Sequence, residues 1–224
     1  METYARLCFP VKGDKFAFAI RGTNRMAARP ARKRETFRHG NLPEALLEAA
    51  LKRLEQGGVE SLSLRELAAD AGVNHRAVYR HFPDKLSMLA RVAEHGWQQL
   101  GQRVRKSASG KAAGEPALLA ASLALFQFAR ERPNLYHLIT GARLNMEGRF
   151  PKLDAALYDA LQVFAVGFAG TGMAPEIVID RAAIYVAALQ GVVTQILYHR
   201  LKVGAARSNA FVTEISSRLI KGMC

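Results

Sequence analysis

The sequence predicts an all-α fold, with a small head of three short helices followed by a larger helical bundle. Three observations predict it. From about residue 41 onward, apolar residues recur at helical spacing, in runs opened by capping residues and closed by Gly or Pro. No alternation of apolar and polar residues survives beyond residue 25. Hydrophobic residues make up 50% of the 224, enough to fill a core, and no internal repeat divides them.

Residues 1–35 read as a basic N-terminal arm or extension, largely disordered. Within them, 7–20 could form a short hairpin around Gly13, with Phe16, Phe18 and Ile20 alternating. The stretch around Arg32, Lys33 and Arg34 reads as a basic tail, and residues 1–25, ahead of Met26, as an extension or upstream sequence. The head is read over 36–96. Asn41, Pro43 and Glu44 make a helix start, Leu46, Leu47, Ala50, Leu51 and Leu54 form its apolar stripe, and Gly57 and Gly58 end it. Ser63 and Glu66 have the spacing of a capping box that opens a second helix to about Asp70. Gly72 breaks it, Asn74 caps a third over 75–81, and a fourth runs from Pro83 and Asp84 to about Lys106. The remainder, 97–224, holds further helices over about 116–131, 134–145, 151–169, 175–202 and 207–221.

The net charge is +13 and the pI about 10.2, which favours a polyanionic partner. Its distribution is uneven. Residues 1–40 carry ten basic and three acidic side chains, 41–96 seven and eight, and 97–224 fifteen and eight. Cys8 and Cys224 lie at opposite ends with no His or Cys at metal-ligand spacing, so neither a disulfide framework nor a zinc site is readable. Arg6, Lys12, Asp14 and Lys15 break up any secretory signal, and no run of about 18 apolar residues suggests a membrane span. A reducing cytoplasm fits best.

Residues 64–83 meet the steric demands of a helix-turn-helix. Two helices that cross closely need a small residue inside the first, Ala68; the turn needs one that accepts positive φ, Gly72; and a branched residue, Val78, plugs the second helix against the first. These fall at places five, nine and fifteen of the unit. A hairpin of helices that merely packs would mix the signs on its outer face. Here His75, Arg76, Tyr79, Arg80 and His81 crowd a turn and a half without an acid, as a helix facing phosphates and base edges would.

These residues carry a resemblance. The stretch 36–96 resembles the DNA-binding domain of the tetracycline-repressor (TetR) family, through Ser63, Leu64, Arg65, Glu66, Leu67 and Ala68, through Ala71, Gly72, Val73 and Asn74, and above all through Val78, Tyr79, Arg80, His81 and Phe82 followed by Asp84, Lys85 and Leu86. The resemblance implies that Tyr79, His81 and Lys85 hold the DNA backbone, that the third helix enters the major groove, and that the fourth links it to a sensor domain. Ala187, Ala188, Leu189, Gln190 and Gly191 are similar to a Trp/His-Gly motif of some sensor domains in the family, with Gln190 in place of the His. No ligand class follows from it.

Each role has an ordinary counterpart. Arg76 either reads a guanine edge or clamps a phosphate; Asn74 caps its helix, with or without a groove contact. Lys85, at a helix N-terminus, faces phosphate together with the backbone amides, and Ser63 and Arg65 touch the flanking backbone. Arg32, Lys33 and Arg34 are either a minor-groove arm or a solvated tail. In the second half, Phe126, Tyr136, Met146, Phe164, Phe168 and Tyr185 belong to an aromatic and sulfur-rich set, most of it ordinary core, from which an effector pocket could be built. Ala187, Ala188 and Gly191 give a small-residue face suited to a two-fold dimer interface.

The expectation is therefore a cytoplasmic homodimeric regulator. It would bind a palindromic double-stranded operator and be released by an apolar or aromatic small molecule, with no cofactor, metal or membrane. The alternatives are an activator or a DNA-binding protein that senses nothing. No Ser/His/acid order, phosphate-cradling glycine loop or paired buried carboxylates point to an enzyme.

Overall fold

Leucine spacing builds the head. In α1 (Leu42–Gly57), Leu46, Leu47, Ala50, Leu51 and Leu54 recur at helical intervals and are all buried. The computed structural model describes residues 42–141, 143–171 and 174–223. The leading arm with Arg32, Lys33 and Arg34, the candidate hairpin, Asn41, Met173 and both cysteines lie outside them. Gly58, at φ 67°, turns the chain into a single 3-10 turn, Val59–Ser61, that the sequence did not announce. The Ser61 hydroxyl closes it by donating to the carbonyls of Arg53 (2.8 Å) and Gly58 (2.7 Å). There follow α2 (Leu64–Asp70), α3 (His75–His81) and α4 (Lys85–Ala108).

The capping box expected at Ser63 does not form. Ser63 has the extended backbone of an N-cap, but its side chain makes no cap bond, and the Glu66 side chain, which would close the other half of the box, is engaged by Arg53 of α1. Asn74 and Asp84 do cap. Asn74 Oδ1 accepts from the Arg76 amide at 2.9 Å, and Asp84 Oδ1 from the Ser87 amide at 2.6 Å.

The helix α4 continues past residue 96, where the sequence reading divided head from sensor. Its first turns pack Met88, Leu89 and Val92 into the head, and its later turns pack Trp97, Leu100 and Val104 into the bundle. Those later turns pack against α5 (Glu115–Glu131), α6 (Pro133–Gly141) and α7 (Pro151–Ala169), while α8 (Pro175–Leu197) lies mainly on α7 and α9 (Ala205–Met223) mainly on α5. Among the described residues there is no strand.

The most extensive packing is between α4 and α7. It depends on a close approach at Gly101, where an added Cβ would stand 3.0 Å from the Ala160 Cα. Arg105 of α4 pairs with Asp159 of α7 at 2.6 Å beside that crossing. The joint between head and bundle is polar. Arg132, between α5 and α6, donates to Glu55 of α1 (3.0 Å) and Gln99 of α4 (2.6 Å), while Asn134 donates to the Glu55 carbonyl (3.1 Å).

Two element boundaries and one exclusion are corrected. The helix read over 134–145 stops at Gly141, since Asn145 and Gly148 (φ 67°) form a turn ahead of Phe150. The helix read to 202 stops at Leu197, where the amides of Tyr198 and His199 bond back to Thr194 and Ile196. The apolar run that the sequence reading missed is in α8. Among the described residues, one helix, Glu176–Leu197, is long and apolar enough to cross a membrane. Its charges, Glu176, Asp180 and Arg181, cluster in the first turns, and none follows before its end. One face of α8 buries Val178, Ala182, Tyr185, Val186, Leu189, Val193 and Ile196 in the bundle.

Gly101→Val is expected to overpack the α4–α7 crossing and cost about 1–3 kcal/mol. Urea unfolding followed by circular dichroism should show a lower midpoint with an unchanged slope.

Candidate nucleic-acid interface

Three helices set the orientation of the candidate surface. Leu64, Leu67 and Ala68 of α2, with Val78 and Phe82, form a buried wedge that holds α3 against α2. Gly72, at φ 65°, makes the turn between them, and the Val73 amide closes it onto the Ala68 carbonyl at 3.0 Å. With Val78 fully buried, the opposite face of α3 is directed into solvent. His75, Arg76, Tyr79, Arg80 and His81 all lie exposed on it. Tyr79, at 49% exposure, stands edge-on to His75, the rings perpendicular and 6.4 Å apart. An aromatic ring left in water on a cationic face carries both a hydroxyl and an apolar edge to whatever docks there.

Lys85 opens α4 at the same end of the head, exposed, directly after the Asp84 cap. Arg65 is exposed in the first turn of α2, and Ser63 is half-buried ahead of it. The nine positions singled out in the sequence thus come from α2, α3 and the start of α4.

The head's near-neutral charge has a structural explanation that local sequence did not reveal. Two of its acids, Glu66 and Asp70, stand on α2, and Arg53 of α1 holds both, Glu66 at 2.8 Å. The hydrogen bond to Asp70 raises the Arg53 guanidinium above its ordinary value. Asp84 is held likewise. The hydroxyl and amide of Ser87, with Arg149 from the loop before α7, lower its carboxyl to about 2. Asp84 is therefore matched by a charge from the bundle, Glu66 and Asp70 share the single charge of Arg53, and no ion pair is formed by Arg65, Arg76, Arg80 or Lys85 among the described residues.

The second set of expectations fares unevenly. Phe126, Tyr136, Phe164, Phe168 and Tyr185 are all buried in the bundle. Tyr185 lies against Phe164 and Phe168, with centroids 6.0 and 5.4 Å away, and its hydroxyl meets Ser122 Oγ at 2.6 Å. Met146 does not join them. It sits at 68% exposure in the turn after α6, because that helix ends too early to carry it inward. Ala187 and Gly191 are exposed on α8, and Ala188 is half-buried. Among the described residues, no group of three His, Cys, Asp or Glu side chains is placed to hold a metal ion.

Residues 46–92, from the middle of α1 into α4, match the model of the bacterial regulatory proteins of the tetR family. The nucleoid occlusion factor SlmA of Edwardsiella ictaluri is 30% identical over 142 residues, 59% of this chain and 71% of that protein. The chain belongs to the TetR family. Beyond the head, a protein of unknown function from Rhodococcus sp. RHA1 shares the fold with a TM-score of 0.71 and 25% identity, over 84% of this chain and 98% of that one. A TetR variant from Acinetobacter baumannii AYE, solved in complex with minocycline, superposes with a TM-score of 0.59 at 20% identity, over 79% and 93%. TetR-family proteins are DNA-binding transcription regulators that act as dimers, and many of them bind small molecules.

Two predictions follow for this face. Arg76→Ala should cost about 1–3 kcal/mol on the preferred duplex and relax one base position, whereas Lys85→Ala should weaken all duplexes alike and lower the salt slope by about one. Competition binding across a salt series separates the two. Asp84, its carboxyl pKa lowered, contributes stability that is complete above the ordinary carboxylate range and lost only as pH falls toward about 2. Carboxyl-carbon NMR should place its titration there.

Proposed function

We propose that this protein is a homodimeric repressor that grips a palindromic operator through α3 and lets go when an apolar or aromatic small molecule enters the bundle. The observation that carries the reading is the continuity of α4. It begins at Lys85, beside the cationic face, and ends in the bundle at Ala108, about 36 Å away at 1.5 Å per residue. A tilt at one end is transmitted to the other.

The dimer is supported by the outer face of α8. Ile177 and Ile184 stand 46% and 56% exposed, in line with Ala183, Ala187 and Gly191. Nothing lies within 4 Å of a Cβ added at Gly191, so a partner helix can approach there closely. Pairing through α8 and α9 would set two heads on one duplex about 34–36 Å apart or at a multiple of that spacing, hence the palindrome. The cytoplasm is where such a protein meets its DNA.

The effector class rests on the buried rings of Phe126, Tyr136, Phe164, Phe168 and Tyr185, of which Phe164 and Phe168 meet Tyr185, with the Ser122–Tyr185 hydroxyl pair as a polar point beside them. The minocycline complex of the structural neighbour supports ligand entry in this fold. A second reading, constitutive DNA binding without an effector, is favoured by how fully those rings are buried. A sequence relative named for nucleoid occlusion also favours it.

Ile184→Arg should yield monomers by light scattering and abolish tight operator binding. Operator affinity, measured with compounds that raise the melting temperature, decides between the two readings. Release means at least a tenfold loss of affinity for some stabilising compound; unchanged affinity with every stabilising compound supports the second reading. A ligand must prefer one head arrangement to act at all.

A further inference from the structure

We propose that Arg149, in the loop between α6 and α7, is a positioning residue for DNA binding: it neutralises and anchors the Asp84 cap of α4, and so fixes the angle at which the head stands on the bundle. The inference rests on reading α3 and Lys85 as the DNA-contacting surface.

The loop is built to deliver this side chain. Asn145 brackets Phe150, accepting from its amide at 2.7 Å and donating to its carbonyl at 3.1 Å. The Gly148 amide closes the turn onto the Asn145 carbonyl at 3.3 Å, with Gly148 at φ 67°. Arg149 emerges from this braced turn with its guanidinium 5.1 Å from the Phe150 ring centroid. From there Nη2 donates to Asp84 Oδ2 at 2.7 Å and to Ser87 Oγ at 3.1 Å. The two carboxylate oxygens divide their work. Oδ1 accepts from the amide and hydroxyl of Ser87, and Oδ2 is left for Arg149.

Position gives the contact its consequence. Asp84 precedes Lys85, so an uncompensated carboxylate there would repel the phosphates that Lys85 is placed to meet. Arg149 removes that charge, and it does so from the bundle. The Arg132–Glu55 pair ties the end of α1 to the start of α6. With one tie on α1 and another at the start of α4, the head has little freedom to rotate about its joint. Arg149 and Asp84 are both nearly half-exposed, so the pair contributes little to global stability. Its effect is on orientation and local charge.

The test uses the full-length protein and the duplex that the wild type enriches from a random-sequence library. Affinities are read by fluorescence anisotropy for Arg149→Ala, Arg149→Lys, Asp84→Asn, the double variant Arg149→Ala/Asp84→Asn, and Arg76→Ala. Asn caps a helix about as well as Asp, so Asp84→Asn keeps the cap and removes only the charge. Arg149→Ala should lose about tenfold in affinity with its melting temperature nearly unchanged, and Arg149→Lys should recover part of the loss. The double variant should bind more tightly than Arg149→Ala, and Arg149→Ala should discriminate less than the wild type when the half-sites are moved apart by one base pair.

Wild-type affinity and spacing preference in Arg149→Ala would overturn the proposal. So would a loss that Asp84→Asn leaves untouched together with an unchanged spacing preference, which means that Arg149 itself contacts phosphate. If Arg76→Ala loses affinity while Arg149→Ala does not, only the positioning role fails. If Arg76→Ala also binds normally, the reading of α3 fails and this inference with it.

Discussion

The rest of the molecule depends on the seating of α4. A single helix contributes Met88, Leu89, Val92, Trp97, Leu100 and Val104 to one core that runs from head to bundle, so neither end can shift without moving it. Its seat is narrow. At Gly101 an added Cβ would stand only 3.0 Å from the Ala160 Cα of α7, and at Gly96 it would meet Leu135 and Ile139 of α6. Close packing of this kind resists gradual deformation and favours discrete alternative arrangements. The head is thus coupled to the bundle through packing on one helix and polar ties on either side of it.

Much of this was legible in the sequence because it is local. Ala68, Gly72 and Val78 sit at intervals fixed by the crossing of two helices, and that geometry can be read without coordinates. Capping by Asn74 is likewise a matter of two neighbouring residues. The exposed, acid-free face of α3 followed from helical periodicity once Val78 was assigned to the core. Expectations failed where a distant residue competed for the same group. Ser63 and Glu66 have the spacing of a capping box, yet Glu66 goes to Arg53 because a charged partner on α1 outbids a local amide. Met146 joined the buried aromatics on composition alone, and a turn at Gly148 put it in water.

The charge pattern shows the same limit from another side. Counting showed a nearly neutral head, an awkward result for a surface that meets a polyanion. The structure accounts for part of it: Arg53 is shared by Glu66 and Asp70, and Arg149 takes Asp84 from 65 positions away. No spacing rule connects residues so far apart, and a lone arginine ahead of Phe150 gives no local hint of its partner. Net charge says less about an interface than the list of charges already spent inside the protein.

The outer ridge of α8 has a consequence for dosage. The protomer exposes Ile177 and Ile184 to water, and if the proposed pairing through α8 covers them, a folded and paired subunit is linked by mass action to the number of copies present. Were DNA occupied only by such pairs, occupancy at low abundance would rise with the square of subunit concentration. Halving synthesis would then cut occupancy roughly fourfold. A row of small and branched side chains on one helix would in this way turn a modest change in expression into a sharp change in promoter state.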